Sequence, residues 1–349
     1  MASKNTSNLP VAVLGGGSFG TAVANILAEN SKVIFYVRNQ ETYEMMVKEG
    51  RNKDVPIHEN ITPSNDLEKT ADQCHILFPV VPSSGFRPLI RQLSEHLYPY
   101  HILIHGTKGL DLGADVDRKG TEPLSRQQVK TMSEVIQEES VVVQVGCLAG
   151  PNLAVELTKG HPAATVVASH FEQVIKDGQR LLRSSKFQVY GNSDLIGIEL
   201  CGVLKNIIAI ASGGLSGLGL GENARALLIS RGLLEMIHIG QALGGDIKAF
   251  LGLAGVGDLV ATCSSTLSRN YTVGYRMATG ESLEQVISSM DEVAEGVNTV
   301  RIVKRLMDFY EVRAPITETL YNVLFNDLAV EEGLSRLMKI QFGSDINFM

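Results

Sequence analysis

The sequence predicts an α/β protein: a mainly parallel, helix-covered sheet in the N-terminal part, followed by an all-α C-terminal domain. Three observations carry this. Short β-branched runs alternate with amphipathic segments through the first half, these runs stop near Gly191, and 349 residues suffice for two domains of about 100–200 residues each. The expected division is 1–191 and 192–349.

PVAVLG, KVIFYV, HILFPVV, HILIHGT, VVVQVGC, AATVVAS and KFQVYG are near-continuous apolar runs, the pattern of strands buried on both faces of a parallel sheet. The charged segments between them, with spaced Leu, Ile and Val, read as covering helices. One segment breaks the rhythm. From Asp111, DLGADVDRKGTEPLSRQQVKTMSEV opens with glycines and charges before a helix resumes, so it reads as a surface loop or insertion without assigned chemistry. Beyond Asn192, ENARALLISRGLLEMIHIGQALGG sets Ala226, Leu227, Ile229, Leu233, Leu234 and Ile237 at helical spacing.

Composition narrows the function. With 44% hydrophobic and 20% charged residues the chain is globular. A net charge of -7 argues against a nucleic-acid partner, so any bound anion must be held by a few local cations and backbone amides. Cys74, Cys147, Cys201 and Cys263 are scattered without a CxxC pair, which suits a reduced, cytoplasmic protein. His101 and His105 fall on a predicted strand, where their spacing is roughly 13 Å, so no metal site is expected. The polar start MASKNTSNLP lacks a signal-peptide pattern. No membrane span is expected, because glycines, Lys205 and Asn206 interrupt the best apolar run.

Two stretches carry chemistry. VAVLGGGSFGTAVANILAEN places Gly15, Gly17 and Gly20 in G-x-G-x-x-G spacing between a strand and an amphipathic helix. The first glycine permits a tight turn, the second lets a pyrophosphate approach the backbone, and the third allows close helix–strand packing. Backbone N–H groups and the positive helix end then face the diphosphate, so this reads as a Rossmann-like dinucleotide site rather than a mere connector. Near the end of the second strand, Arg38 stands where an acidic residue would accept the ribose hydroxyls of NADH. Its guanidinium suits the 2′-phosphate of NADPH, while Glu41 leaves NADH open and a solvated arginine is the alternative.

The other stretch is ELCGVLKNIIAIASGG, in which Lys205 interrupts an apolar helical run. Burial makes a lysine costly to charge and draws it toward a neutral-pH proton donor; the alternative is a lysine snorkelling to water. Glu199 and Asn206 lie near the same helical face. Downstream come Asp258 and the cluster Ser268, Arg269 and Asn270, where a guanidinium beside an amide suits a phosphate.

The pieces GGGSFGTAVANILA, HGTKGLD, LAGPNLAVEL, LCGVLKNIIAI, GLGENARALLISRGLLEM, GVGDLVATC, SRN and VAEGVNT occur in the order that resembles NAD(P)-dependent glycerol-3-phosphate dehydrogenase of the bacterial type, from about residue 9 to residue 325. The resemblance implies a two-domain enzyme that interconverts dihydroxyacetone phosphate and sn-glycerol 3-phosphate with NADPH or NADH, supplies phospholipid synthesis, and is often a homodimer. It implies that Lys205 is the general acid and base. Lys108 would meet substrate near the cofactor, Gly150 and Asn152 would contribute to the substrate pocket, and Ala154 would lie against the cofactor. Asp258 would orient the lysine or the substrate hydroxyl, and Asn206, Ser268, Arg269 and Asn270 would hold the substrate, with Arg269 also near the cofactor. Ser18, Phe19, Arg38, Val293 and Glu295 would complete the dinucleotide site with the glycines.

Three features depart from the family pattern. AGP followed by Asn152 replaces the common SGP and Thr, the segment after TKGLD is longer and more charged, and Pro79 interrupts a strand that should be plainly apolar. The rival readings are a β-hydroxyacid-type dehydrogenase and a dinucleotide-binding sensor without turnover.

Overall fold

The computed structural model describes residues 9–113 and 115–340, which form two compact units. The first runs to Asp111 and resumes over Thr131–Leu195; the second comprises Leu112–Lys130 and the residues from Ile196 onward. The polar lead 1–8, Ala114 in the charged segment, and 341–349 lie outside the described residues. The charged segment thus interrupts the first unit, and a single cut at 191/192 does not divide the chain as the structure does.

The first unit is built on an eight-stranded sheet: β1 Val11–Leu14, β2 Val33–Tyr36, β3 Ile61–Ser64, β4 Ile76–Pro79, β5 Ile102–His105, β6 Gln144–Ala149, β7 Ala163–Ser169 and β8 Phe187–Asn192. The order is β8-β7-β6-β5-β4-β1-β2-β3, with every neighbouring pair parallel except β6 and β7. Its first six strands follow the doubly wound 3-2-1-4-5-6 order of dinucleotide-binding sheets. Sequence reasoning missed β3, whose ITPS lacks an apolar run. It is an edge strand, where Pro63 needs no ladder donor on its open side. Pro79 closes β4 opposite Leu14; its carbonyl accepts from Gly106 N at 2.9 Å, and Val80 N resumes the ladder to Leu14 at 2.8 Å.

Alternating strand residues serve two cores. Val11, Val13, Phe35, Phe78 and Ile104 face helices α1 (Ser18–Ala28) and α7 (Glu172–Leu182). Ala12, Leu14, Ile34, Leu77 and Leu103 face α4 (Ser83–Ser94) and α5 (Met132–Glu139). Helices α2 (Gln40–Glu49), α3 (Leu67–Gln73) and α6 (Ala154–Thr158) fill the remaining crossovers. Arg87 on α4 binds Asp111 and Glu138 at 2.8 Å each and also pairs with Glu139, so the residue at which the chain leaves this unit is held by a partly buried guanidinium. That charge network holds Arg87 above the ordinary arginine range against the opposing effect of burial.

The second unit is helical: α8 Leu195–Gly217, α9 Glu222–Ala242, α10 Ile247–Leu251, α11 Asp258–Cys263, α12 Arg269–Ala278, α13 Leu283–Ser288, α14 Glu295–Tyr310, α15 Pro315–Phe325 and α16 Val330–Met338. The 23-residue α8, with mean hydropathy 1.8, is long and apolar enough to cross a membrane, contrary to the expectation from sequence; 89% of that apolar window is buried inside the protein, as the core helix. On α9 the buried residues include Leu228, Met236, Ile237 and Ile239, whereas Leu227 is exposed. The expected stripe is shifted because Leu227 and Leu234 border an apolar cavity of about 730 Å³ shared with α8, α12, α15 and α16.

The charged segment is an ordered strap within this unit. Leu112 and Val129 are buried on a short two-stranded ribbon, and Leu124 is buried beside α14. Buried Arg305 of α14 donates through Nε to Glu122 O at 2.7 Å and through Nη1 to Asp117 O at 2.8 Å, while its own carbonyl accepts from Leu124 N at 3.0 Å.

Glu235 of α9 reaches the start of α15, where its carboxyl accepts from Ile316 N at 2.7 Å, Thr317 N at 2.8 Å and Thr317 Oγ1 at 2.7 Å. Burial outweighs these bonds and pushes its pKa up to about 6. A raised folded-state value means that the stabilising contribution is full below the ordinary carboxylate range and is lost as pH rises through about 6. Relative to Glu235→Gln, the wild-type unfolding free energy should fall by about 2 kcal/mol between about pH 4 and about pH 7, measured by denaturant titration across that window.

Candidate active site

In the first unit the predicted residues gather at the carboxyl ends of the parallel strands, beside the point where strand order reverses between β1 and β4. Gly15 has φ +127°, and a Cβ there would stand 2.3 Å from Val80 O. A Cβ on Gly20 would stand 1.9 Å from Gly15 O, so helix and turn touch only because both residues are glycine. Gly17, the residue before α1, has nothing within 4 Å of its Cβ position. Tight turn, open cradle and close packing therefore fall on the three glycines in the expected order, and the cradle at Ser18 and the α1 N-terminus fits a dinucleotide pyrophosphate.

Phe19 lies over the end of β5, its ring 3.0 Å from the Cβ position of Gly106. Arg38 is exposed beyond β2, next to Asn39, whose side chain accepts from Thr42 N at 2.8 Å and caps α2. Lys108 Nζ donates to Gly150 O at 3.1 Å. Gly150 has φ +153°, and its Cβ position lies 3.1 Å from Thr165 Cα; the Asn152 amide is 2.8 Å from Thr165 Oγ1. Lys108, Gly150 and Asn152 thus form one polar cluster, and Ala154 opens α6 close by in sequence.

In the second unit Lys205 is 6% exposed, so it does not snorkel to water. Its Nζ donates to Asp258 Oδ1 at 2.8 Å and to Thr262 Oγ1 at 2.6 Å, and the Thr262 hydroxyl lies 3.1 Å from Asp258 Oδ1. A π-helical turn, Leu253–Gly257, delivers Asp258 to the start of α11, and Thr262 follows one helical turn later on the same face. Sequence reasoning missed Thr262. The available signal was a hydroxyl four residues after a candidate carboxylate within GVGDLVATC.

Asn206 is buried beside Lys205 and donates to Gly202 O at 3.3 Å. Ser268 caps α12 by accepting from Tyr271 N at 3.3 Å, and Asn270 Oδ1 accepts from Gly296 N at 2.9 Å in the first turn of α14. Gly296 packs against both asparagines, its Cβ position lying 2.6 Å from Asn270 Oδ1 and 2.9 Å from Asn206 O. The amino ends of α12 and α14 therefore meet next to the lysine's helix. Arg269 is half-exposed there, 3.1 Å from both Glu292 Oε2 and the carbonyl of Val293, with Glu295 opening α14. Cys201 is fully buried, and burial pushes the Cys263 thiol up to about 12, so neither presents a nucleophile at neutral pH.

Two sequence profiles match the chain: NAD-dependent glycerol-3-phosphate dehydrogenase N-terminus over residues 10–175, and its C-terminus over residues 194–335. The chain belongs to this dehydrogenase family. The glycerol-3-phosphate dehydrogenase [NAD(P)+] of Pseudomonas putida is 39% identical over 99% of this chain and 98% of its own length. The crystal structure of glycerol-3-phosphate dehydrogenase from Coxiella burnetii matches with TM-score 0.87 at 33% identity, covering 96% of this chain and 100% of that one. The Saccharomyces cerevisiae enzyme matches with TM-score 0.81 at 25% identity, covering 95% and 99%. As a member of the family the protein is an NAD(P)-dependent oxidoreductase.

The buried ion pair at the centre of this dehydrogenase's helical unit has a measurable energetic signature. Asp258→Asn leaves the Lys205 ammonium buried against a neutral amide and should cost about 3 kcal/mol in denaturant unfolding. Adding Lys205→Met should recover most of that loss; a double variant whose loss equals the sum of the losses in Asp258→Asn and Lys205→Met alone would show that the pair is not energetically coupled.

Proposed function

We propose that the protein reduces dihydroxyacetone phosphate to sn-glycerol 3-phosphate with NADPH or NADH, and runs the reverse reaction through the same residues. The observation that carries this is the buried Lys205–Asp258–Thr262 cluster beside the converging N-termini of α12 and α14. It sets a proton donor next to a place suited to a phosphate. The division of labour is a dinucleotide-binding first unit and a catalytic second unit.

In this reading Gly15, Gly17, Ser18, Phe19 and Gly20 would hold the cofactor's pyrophosphate and Arg38 would meet the adenosine ribose, with Lys108, Ala154, Arg269, Val293 and Glu295 assigned as further cofactor contacts. When bound, it supplies the hydride. The Lys205 ammonium gives its proton to the substrate carbonyl oxygen, which would otherwise develop negative charge, and the neutral amine takes that proton back in the reverse direction. Asp258 and Thr262 hold Nζ in place and keep its charged form compatible with burial. Arg269, Asn270 and the two helix ends take the phosphate dianion, with Ser268 and Asn206 shaping the site. Lys108, Gly150 and Asn152 are assigned further substrate contacts.

The product suits phospholipid synthesis, the setting is the cytoplasm, and the assembly is a homodimer. A β-hydroxyacid-type dehydrogenase would require a carboxylate substrate, and a sensor would show no turnover.

Initial rates of nicotinamide oxidation test the proposal. Dihydroxyacetone phosphate should be turned over and 2-keto and 3-keto acids refused. Lys205→Met should lower kcat by about a thousandfold while cofactor affinity stays within about twofold. Full activity in that variant would remove Lys205 from the proton transfer. Arg38→Ala should raise the KM for NADPH about tenfold and leave that for NADH unchanged; no change with either would assign Arg38 to solvent, and an equal rise with both would assign it to a part the two nucleotides share rather than to the 2′-phosphate.

A further inference from the structure

The glycine turn is fastened from below by a residue outside the fingerprint. Asn52 is 2% exposed and lies on the short ribbon Arg51–Asn52/Val55–Pro56 that follows α2. Its Nδ2 donates to Gly16 O at 2.9 Å and to Thr21 Oγ1 at 2.8 Å. The Thr21 hydroxyl in turn donates to Gly17 O at 3.0 Å. Asn52 and Thr21 therefore hold two consecutive carbonyls of the turn. In a trans peptide the C=O and the following N–H point to opposite sides. The Gly16 carbonyl is fixed toward Asn52, and the Gly17 carbonyl toward the N–H (3.0 Å) and hydroxyl of Thr21, so the Gly17 N–H is aimed away from Asn52 and the Ser18 N–H out of the amino end of α1, toward the open cradle at Gly17.

The ribbon is itself anchored to α1. Asn25 Nδ2 donates to Pro56 O at 3.0 Å, and Asn25 Oδ1 accepts from His58 N at 2.9 Å. Asn52 Oδ1 is buried and accepts no hydrogen bond from the described residues, so the side chain acts through its donor alone. Gly16 is also confined by Val37, whose Cγ1 lies 2.7 Å from the Gly16 Cβ position, with Asn52 Nδ2 3.7 Å from that same point.

We infer that Asn52 is a positioning residue for the dinucleotide: it preorganises the peptide planes of the glycine turn so that their N–H groups meet the pyrophosphate. The assignment deepens the cofactor reading given above and rests on it. Because a pyrophosphate is common to both nucleotides, Asn52 acts equally on NADPH and NADH, unlike Arg38.

Fluorescence titration or calorimetry of the full-length protein with NADPH and with NADH tests this. Asn52→Ala and the isosteric Asn52→Asp, which turns an acceptor toward Gly16 O, should each weaken both nucleotides about tenfold by the same factor. With saturating cofactor, kcat and the KM for dihydroxyacetone phosphate should remain within about twofold of wild type. Thr21→Ser should bind like wild type, Thr21→Val should lose affinity, and the double variant Thr21→Val/Asn52→Ala should be no weaker than the worse single one. Unchanged nucleotide affinity in Asn52→Ala overturns the inference, as does a loss matched by an equal rise in substrate KM, which would mark general damage. Should Asn52→Ala not fold, identical affinity in Thr21→Ser and Thr21→Val overturns it instead. Wild-type protein that binds neither nucleotide would remove the cofactor reading itself.

Discussion

An ammonium group inside an apolar helix is the constraint on which the second unit depends. Taking Lys205 out of water costs several kcal/mol unless a counter-charge and further hydrogen bonds accompany it. Asp258 and Thr262 meet that requirement from one face of α11, and the π-helical turn before that helix brings the carboxylate to the amine. Glycines then permit the surrounding approaches. A Cβ on Gly255 would fall 1.9 Å from Phe250 O, and one on Gly274 would fall 1.8 Å from Ile210 O. The helical unit is thus shaped around a charge that its apolar residues alone would exclude.

The anion sites proposed for the two units follow the same economy. The net charge is -7, so no broad cationic surface is available. In the first unit the positive potential comes from α1 and the amides of the glycine turn. In the second it comes from the joined amino ends of α12 and α14, where Asn270 links one helix to the backbone of the other. Helix ends and peptide planes carry fixed dipoles that need no reorganisation as charge moves, which side chains on long stems do not offer.

Much of this was legible in the sequence because it rests on local pattern. The apolar runs became strands, the three glycines took their separate conformational roles, and Lys205 stood out as a charge among hydrophobes. What escaped depends on contacts between distant residues. The strand Ile61–Ser64 carries a proline and little hydrophobicity, and it pairs on one side only. Thr262 reads as one more small residue in a helix until α11 is laid against α8. Asn52 lies in an unremarkable polar stretch, and only the ribbon's return to α1 sets its amide under the glycine turn. The buried stripe of α9 was misread because Leu227 and Leu234 border an open cavity instead of packing against a neighbouring helix.

The strap 112–130 has a consequence for modularity. Because Arg305 is satisfied by carbonyls of Asp117 and Glu122, the helical unit borrows backbone acceptors from a stretch of chain flanked on both sides by the other unit. Severing the polypeptide once, between Leu195 and Ile196, would yield one fragment carrying a loose strap and another with an orphaned guanidinium in its interior. The two units are therefore not separable modules: neither could be transplanted, permuted or expressed by a single cut, and recombination between relatives would have to exchange the strap together with α14.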